Sequence, residues 1–512
     1  FAVALLRAGL FARLRAAQEA CDAPARQRLT EETARLQAAQ EAPDSPEALA
    51  TIPNLHVADM PPRNTPLPCA GRSLPSGNTL LCHELPTQGI AYVSLLLPLD
   101  TLPQDLQPLA PLFARCLTEA GTARRDFTEL GAHMAAKTGG VGADMVLATH
   151  REGRGAVRYL GVMGKAVQDK IPDLFDIFRE ILLEPLREEG VLLERMGQML
   201  LEDKARLEHG LVAAGHAAVG LRLRAHFTEL GRLAERTSGL SYLQEVRRLL
   251  ARLEQDPQGV LADLERLRRH VVARPGALLD VTGESAALHR VEEEGSRLLR
   301  SLPDGRAGEH APLPPLDLPD AEAFFAPAQV NYVGKAANLI DLGYPYRGSM
   351  SVVLRSLRMG YLWERVRVRG GAYGAMCTLD RLGGNLVLAS YRDPNVEETL
   401  RAYDELPAFL RANAPDAAQL ERAIVGAVGD LDAYLLPDAR GAQALTRHLT
   451  GDTEELRQRM REEILATTAR DFRDMADVLE EVAKAGVICV LGGAATRAAA
   501  EAHGWSGQEI MA

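Results

Sequence analysis

The sequence predicts an α+β protein made of two tandem copies of one unit, an antiparallel-rich sheet with helices packed on it, preceded by a helical hairpin linker. Three observations predict it. The chain of 512 residues is too long for one hydrophobic core, and 46% hydrophobic with 25% charged residues is ordinary for a folded protein. From residue 89 onward, strand-length apolar runs alternate with longer patterns of helical period. The third observation is a repeated junction. Lys137-Thr138-Gly139-Gly140-Val141-Gly142-Ala143-Asp144-Met145 and Arg369-Gly370-Gly371-Ala372-Tyr373-Gly374-Ala375-Met376 each leave a helix through a glycine pair and return into a strand, with Ala and Met in nearly matching places. Two copies of about 200 residues each fit the usual domain size.

The net charge of −11 is spread along the chain, which argues against a nucleic-acid partner. The six cysteines lie far apart with no CxxC pair, so neither a zinc ribbon nor a disulfide framework is suggested, and a reducing, cytoplasmic setting is expected. The longest apolar runs, such as 90–99, are strand-length and too short to span a membrane.

Taken in order, residues 1–40 read as two helices broken near Asp22-Ala23-Pro24, with Thr30-Glu31-Glu32 opening the second. The amphipathic start lacks a small-residue cleavage pattern and flows into charged helix, so the chain is read as beginning part-way through a larger protein. Residues 42–68 are proline-rich and extended, completing a connector over 1–66. The first α+β domain is expected over 67–312. Its elements are a buried strand at 89–97, helices at 106–120 and 126–137, paired strands at 141–149 and 156–164 and a helix at 169–183. Near-continuous helix follows over 188–272, broken near Gly210, Gly215, Gly239 and Asp256-Pro257, then a strand at 277–281, a helix at 284–299 and a proline-rich linker over 302–327. The second domain, over 313–512, repeats the plan. A strand at 330–333, a helix at 350–369, strands at 373–379 and 385–390, helices from 396 to 483, a strand at 487–491 and a closing helix at 494–503 make it up.

No complete catalytic motif is present. The twelve histidines never form HExxH or its inversion HxxEH, in which two ligands share a helical face and Glu serves as base. The nearest miss is His226-Phe227-Thr228-Glu229-Leu230, which reads as a helix surface. GxSxG and Walker patterns are absent, and the Gly370-Gly371 pair follows a helix instead of leading into one, which excludes a phosphate cradle. His83-Glu84 reads as an exposed loop pair, and His216 as a buried, hydrogen-bonded histidine at a helix interruption. In Ser390-Tyr391-Arg392-Asp393-Pro394-Asn395, Asp393 or Asn395 can cap the next helix and Arg392 is free to reach a neighbour.

The densest stretch is Leu362-Trp363-Glu364-Arg365-Val366-Arg367-Val368-Arg369-Gly370-Gly371-Ala372-Tyr373-Gly374. Apolar Val353, Leu354, Leu357, Tyr361 and Leu362 recur at helical spacing, and Arg365, Arg367 and Arg369 gather at the end, where cations suit the helix dipole. Taken alone, it reads as a helix stop running into a core strand, with Tyr373 as filler.

Several segments together resemble one family, the presequence-protease branch of the pitrilysin/insulinase-type zinc metallopeptidases. They are TARLQAAQEAPDSPEALATIPNLHVADM, PLFARCLTEAGTARRDFTEL, KTGGV, the AGHAAV stretch around His216, YLWERVRVRGGAYGA and SYRDPN, spread over 33–395 in the family's order. The resemblance implies the second half of a peptidase built from four related α+β domains, two on each side of a hairpin linker, closing around a chamber. It implies that zinc is bound by an N-terminal half and not by this chain, since Leu112, Arg115 and Cys116 stand where the ligands and the base would be. It also implies that Arg367 and Tyr373 reach the substrate at the zinc, with Gly370, Gly371, Ala372 and Arg392 as further substrate-binding residues, on unfolded peptides as substrates. The other reading is a non-catalytic peptide-binding or assembly subunit of the same superfamily.

Overall fold

The structure is a computed structural model and describes residues 13, 21–42, 44–151, 155–185, 188–305, 313 and 315–511. They fall into two compact units, Phe1–His56 and Val57–Ala512. In the first, Asp22 accepts the Ala25 N–H and Pro24 occupies the first turn, so one helix runs over Ala23–Glu41 and Thr30-Glu31-Glu32 lies inside it rather than at its start. Ser45 caps a short helix at Pro46–Leu49 within the stretch expected to be extended. The first helix of the expected hairpin lies, apart from residue 13, outside the described residues.

The second unit holds two six-stranded sheets. The first contains β1 (Ala70–Ser73), β2 (Thr79–Glu84), β3 (Ile90–Pro98), β4 (Val141–Thr149), β5 (Ala156–Val167) and β6 (Leu278–Gly283), in the order β1-β2-β6-β3-β5-β4. The second contains β7 (Ala321–Phe325), β8 (Tyr332–Asn338), β9 (Gly374–Leu379), β10 (Asn385–Tyr391), β11 (Val487–Gly492) and β12 (Ser506–Glu509), in the order β12-β7-β11-β8-β10-β9. The two orders superimpose strand for strand. β2 pairs parallel with β6 as β7 does with β11, and the remaining inner pairs are antiparallel in both. Only the outer edge differs, where β1 runs antiparallel to β2 and β12 parallel to β7.

Four strands escape the sequence pattern. β1 and β12 are short and mostly exposed, β7 sits inside the proline-rich stretch expected to be linker, and β2 is hidden by its polar ends. His83 therefore does not lie in an exposed loop. It is fully buried in β2, with Nε2 2.7 Å from Asp280 Oδ1 and Nδ1 2.8 Å from the Pro68 carbonyl.

Each sheet is covered partly by helix from the other repeat. The helices Ala110–Glu119, Ile171–Leu183 and Ser285–Ser301 bury their apolar faces on one side of the first sheet. On its other side Leu81, Leu96 and Leu278 meet Leu445 of the helix Pro437–Thr450, which follows the second sheet's central strands in the chain. Reciprocally, Leu211, Val219 and Leu223 of the helix Glu189–Ala225 pack on Phe324, Tyr332, Ala336 and Val387 of the second sheet. Glycine permits both approaches: a Cβ on Gly441 would lie 1.7 Å from Thr282 Oγ1, and one on Gly334 would lie 2.4 Å from Val219 Cγ1. Burying an aliphatic side chain of this kind stabilises by about 1.5–3 kcal/mol, so the exchanged helices tie the two repeats together.

The helix Glu189–Ala225 is continuous through Gly210 but kinks at Ala214, whose φ of −145° and ψ of 39° are not helical. The expected helix over 350–369 is α only at Gly348–Leu357 and continues as a π-helix at Arg358–Arg369. Its buried positions explain the wider winding. Leu357, Tyr361, Leu362 and Val366 recur at four to five residues, more than the 3.6 of an α-helix. No described helix is long and apolar enough to cross a membrane.

Candidate functional site

The π-helix ends at the glycine pair. Gly370 N–H donates to the Arg365 carbonyl (3.1 Å), Gly371 N–H to Arg367 (3.0 Å) and Ala372 N–H to Val366 (3.1 Å). A Cβ on Gly370 would stand 2.5 Å from the Val366 carbonyl oxygen, and Gly371 has a φ of +80°, so each glycine is required for its own reason. Beyond them Ala372 is buried and Tyr373 is 65% exposed, its N–H bonded to the Tyr391 carbonyl (3.0 Å).

Two of the three clustered arginines are neutralised locally. Arg365 donates to Glu405 (2.6 Å) and Arg369 to Glu364 (2.8 Å). Arg367 has no carboxylate partner among the described residues. Its guanidinium instead lies 3.8 Å from the Trp363 ring centroid and 5.7 Å from that of Tyr373. The structure thus brings Arg367 and Tyr373 together, with Tyr373 facing solvent rather than filling a core.

The SYRDPN turn supports this corner from the next strand end. Asn395 Nδ2 donates to the Gly370 carbonyl (2.5 Å), and Pro394 lies against Gly371. Asp393 is fully buried and exchanges backbone hydrogen bonds with Asn331 (2.7 and 2.9 Å). Its carboxylate accepts from Asn395 N–H (2.9 Å) and Thr399 Oγ1 (2.7 Å), so it anchors the turn instead of capping the helix Glu397–Asp404, which has no side-chain cap. Burial pushes the Asp393 carboxyl up, opposed by those hydrogen bonds. Arg392 adopts a φ of +50°, a left-handed conformation costing about 1–2 kcal/mol in a non-glycine residue, and its guanidinium lies 5.4 Å from the Tyr391 ring. Arg392 is therefore presented beside Tyr373 from an adjacent strand end.

Sequence reasoning missed three contributors. Trp363 was legible as the residue one helical turn before Arg367. Tyr391 and His216 were not, because they meet only through the fold. The His216 ring is 4.8 Å from Tyr391 and 6.2 Å from Tyr332. It is not hydrogen-bonded as expected: Nδ1 is buried without a partner, and burial lowers the ring's pKa.

The segment expected to stand in place of a zinc motif does not fit zinc. In the helix Ala110–Glu119, Leu112 is fully buried, and Arg115 is held by Glu119 and Glu202 (2.6 and 2.7 Å) and by Asp203 (3.1 Å). The Cys116 thiol is pushed up to about 12 by burial. A cation and an apolar side chain are no donor set for a dication. At the near miss, Thr228 caps the helix Glu229–Ser238 and Glu229 accepts from Arg158 (2.6 Å) and the Ala156 N–H (2.9 Å), so this is a tied turn between helices, not a helix surface. Among the described residues no group of three or more His, Cys, Asp or Glu is placed to hold a metal ion.

Comparison with known proteins agrees with this architecture. A solved structure described as a peptidase M16 inactive domain from Pseudomonas fluorescens aligns over 84% of this chain and 98% of its own, with a TM-score of 0.61 at 16% identity. A protease from Helicobacter pylori aligns over 83% of this chain and all of its own, with a TM-score of 0.55 at 13% identity. These define the class of fold, a pair of M16-type peptidase domains. The family model for the region associated with subfamily C of peptidase M16 matches residues 6–249, and the model "PreP C-terminal domain" matches 321–493. Presequence protease 1, chloroplastic/mitochondrial, of Arabidopsis thaliana is 36% identical over 445 residues, covering 86% of this chain and 40% of that protein. Protein HypA of Clostridium perfringens is 28% identical over 449 residues, covering 87% of this chain and 45% of that protein. The chain belongs to the presequence-protease type of M16 peptidases and corresponds to their C-terminal part. It spans less than half the length of these curated relatives.

Proposed function

We propose that this chain is the C-terminal, non-zinc-binding half of a zinc metalloendopeptidase that degrades unfolded peptides in a closed chamber. The observation that carries the reading is the pairing of an exposed Tyr373 with an Arg367 left without a carboxylate among the described residues, both fixed at a rigid helix-to-strand corner. In this reading residues 1–66 connect the enzyme halves, 67–312 form a domain without zinc ligands, and 313–512 carry the substrate-binding corner. Zinc and the hydrolytic chemistry belong to an N-terminal half, on the same or a separate chain. A cytoplasmic setting is part of the proposal, supported by six cysteines that are all free.

Tyr373 donates its hydroxyl proton in a hydrogen bond to the scissile carbonyl oxygen as that oxygen gains negative charge. Arg367 directs its planar fork at a neighbouring peptide carbonyl or a carboxylate, and Trp363 keeps the fork flat and aimed. Arg392 holds the peptide further along, while Gly370, Gly371 and Ala372 let the substrate backbone approach closely. Losing one donor to a developing oxyanion costs about 100-fold or more in rate.

The test is a peptidase assay on an unstructured peptide with this chain alone, with the zinc-bearing half alone and with both together. Turnover only in the combination, lowered about 100-fold by Arg367→Ala and by Tyr373→Phe, is the expected result. Zinc-dependent turnover by this chain alone would refute the division of labour. Binding without cleavage in the combination would establish the alternative, a non-catalytic peptide-binding or assembly subunit.

A further inference from the structure

Tyr373 carries most of its ring in solvent, so few contacts hold it. One is the edge of Tyr391, whose ring centroid lies 5.5 Å away at an interplanar angle of 86°. Tyr391 in turn meets His216 at 4.8 Å and 66°, also edge to face. Both are geometries that aromatic quadrupoles favour. The rings therefore form a file, His216 to Tyr391 to Tyr373, that continues through the Arg367 guanidinium to Trp363. Its inner end belongs to the helix Glu189–Ala225, which the first repeat contributes, and its outer end to the corner of the second.

The inner end is rigidly held. Tyr332 is fully buried beside both rings, 6.2 Å from His216 and 6.1 Å from Tyr391. Its hydroxyl donates to the Val212 carbonyl (2.6 Å), two residues before the kink at Ala214. The kink and the missing side chain of Gly215 let that ring in, for a Cβ there would stand 2.5 Å from Tyr332 Cδ2. Arg392 covers Tyr391 from a further side.

We propose that His216 and Tyr391 are positioning residues for Tyr373, fixing its ring so that its hydroxyl meets a bound peptide in one orientation. His216 does this as a ring and not as a hydrogen-bonding or charged group. Its Nδ1 has no partner, and burial without any neighbouring carboxylate favours the neutral imidazole. A benzene ring of similar size serves the same purpose, and a methyl group does not. The inference rests on the substrate-binding reading of Tyr373, but its geometry can be read out independently of it.

The experiment places 3-fluorotyrosine at position 373 of the whole chain and records its ¹⁹F resonance alongside the affinity for a fluorescent, unstructured peptide. His216→Ala is expected to move the resonance toward that of free fluorotyrosine and to weaken peptide binding about 3- to 10-fold, the scale of one lost aromatic pair. His216→Phe is expected to restore both. Tyr391→Leu, outside the kinked helix, is expected to repeat the His216→Ala result and serves where His216→Ala does not fold. An unmoved resonance in either folded variant, or failure of His216→Phe to restore it, overturns the proposal. If the resonance moves while Arg367→Ala and Tyr373→Phe leave peptide binding intact, the positioning stands and the substrate-binding reading fails.

Discussion

His83 Nε2 and Asp280 Oδ1 lie 2.7 Å apart on neighbouring parallel strands, with both residues sealed from water. Burial alone would push the imidazole pKa down. The hydrogen bonds to Asp280, Cys69 and the Pro68 carbonyl outweigh it and raise the value to about 10. Burial pushes the Asp280 carboxyl up, and the His83 hydrogen bond and charge pull against that. A group whose pKa is higher folded than unfolded contributes stability that is complete below its unfolded value of about 6.5 and is lost as pH rises through the folded one. Urea unfolding is therefore expected to show stability falling between about pH 7 and pH 10, and Asp280→Asn is expected to flatten that limb. Because it strands a buried imidazole, Asp280→Asn also costs about 3–5 kcal/mol near neutral pH. An alkaline limb that survives Asp280→Asn unchanged would assign it to other groups.

This pair also marks where the sequence stops being legible. His83 sits in TLLCHELP, whose polar ends disguise a strand, and its partner lies 197 positions away. No local pattern joins them. The repeated plan was legible because both copies keep the glycine pair and the strand–helix periods, and the second glycine has positive φ in each, +123° at Gly140 and +80° at Gly371. Arg367 and Tyr373 were legible as a pair because both belong to one corner. The π winding escaped notice, although the spacing of Leu357, Tyr361, Leu362 and Val366 encodes it. Exchange of helices between repeats had no local signal, and with it went the contact of His216 and Tyr391. β7 and β12 were lost because a short strand completed by pairing needs little β pattern of its own.

The glycine corner separates two kinds of strain. Gly371→Ala places a Cβ at a φ of +80°, which costs about 1–2 kcal/mol, and brings it 3.4 Å from Pro394. Gly370→Ala drives a Cβ onto the Val366 carbonyl and must unwind the last π turn, moving Arg367. Gly374→Ala, whose nearest neighbour would be Tyr391 Cβ at 3.8 Å, is the control. Chemical denaturation is expected to rank them Gly370→Ala, Gly371→Ala, Gly374→Ala from most to least destabilised. Equal stabilities would mean that the corner relaxes freely.

Arg461 is 1% exposed and fastens the chain leading into the second unit. It donates from Nε to Asn64 Oδ1 (2.7 Å), from Nη1 to the Pro61 carbonyl (2.8 Å) and from Nη2 to Asp432. Val57 and Met60 pack on the second repeat's core nearby. Arg461→Met keeps the bulk and removes three charged hydrogen bonds, for a cost of about 2–4 kcal/mol. Residues 57–64 are expected to exchange amide hydrogens faster in this variant while the β8 amides stay protected. Unchanged exchange there would place the restraint elsewhere.

The stack of Arg367 on Trp363 can be measured without substrate. A cation this close to an indole on a surface contributes about 0.5–1 kcal/mol, and the pair sits one turn apart on a helix that holds both rigidly. In a double-mutant cycle of Arg367→Ala and Trp363→Ala followed by urea unfolding, the coupling energy is expected in that range. It should persist at high salt, since the guanidinium has no carboxylate partner among the described residues whose attraction salt would screen. Arg367→Lys keeps the charge but loses the flat face, so it should retain less than half of the coupling. A coupling near zero would leave the guanidinium free to swing, and Trp363 would then no longer account for its aim.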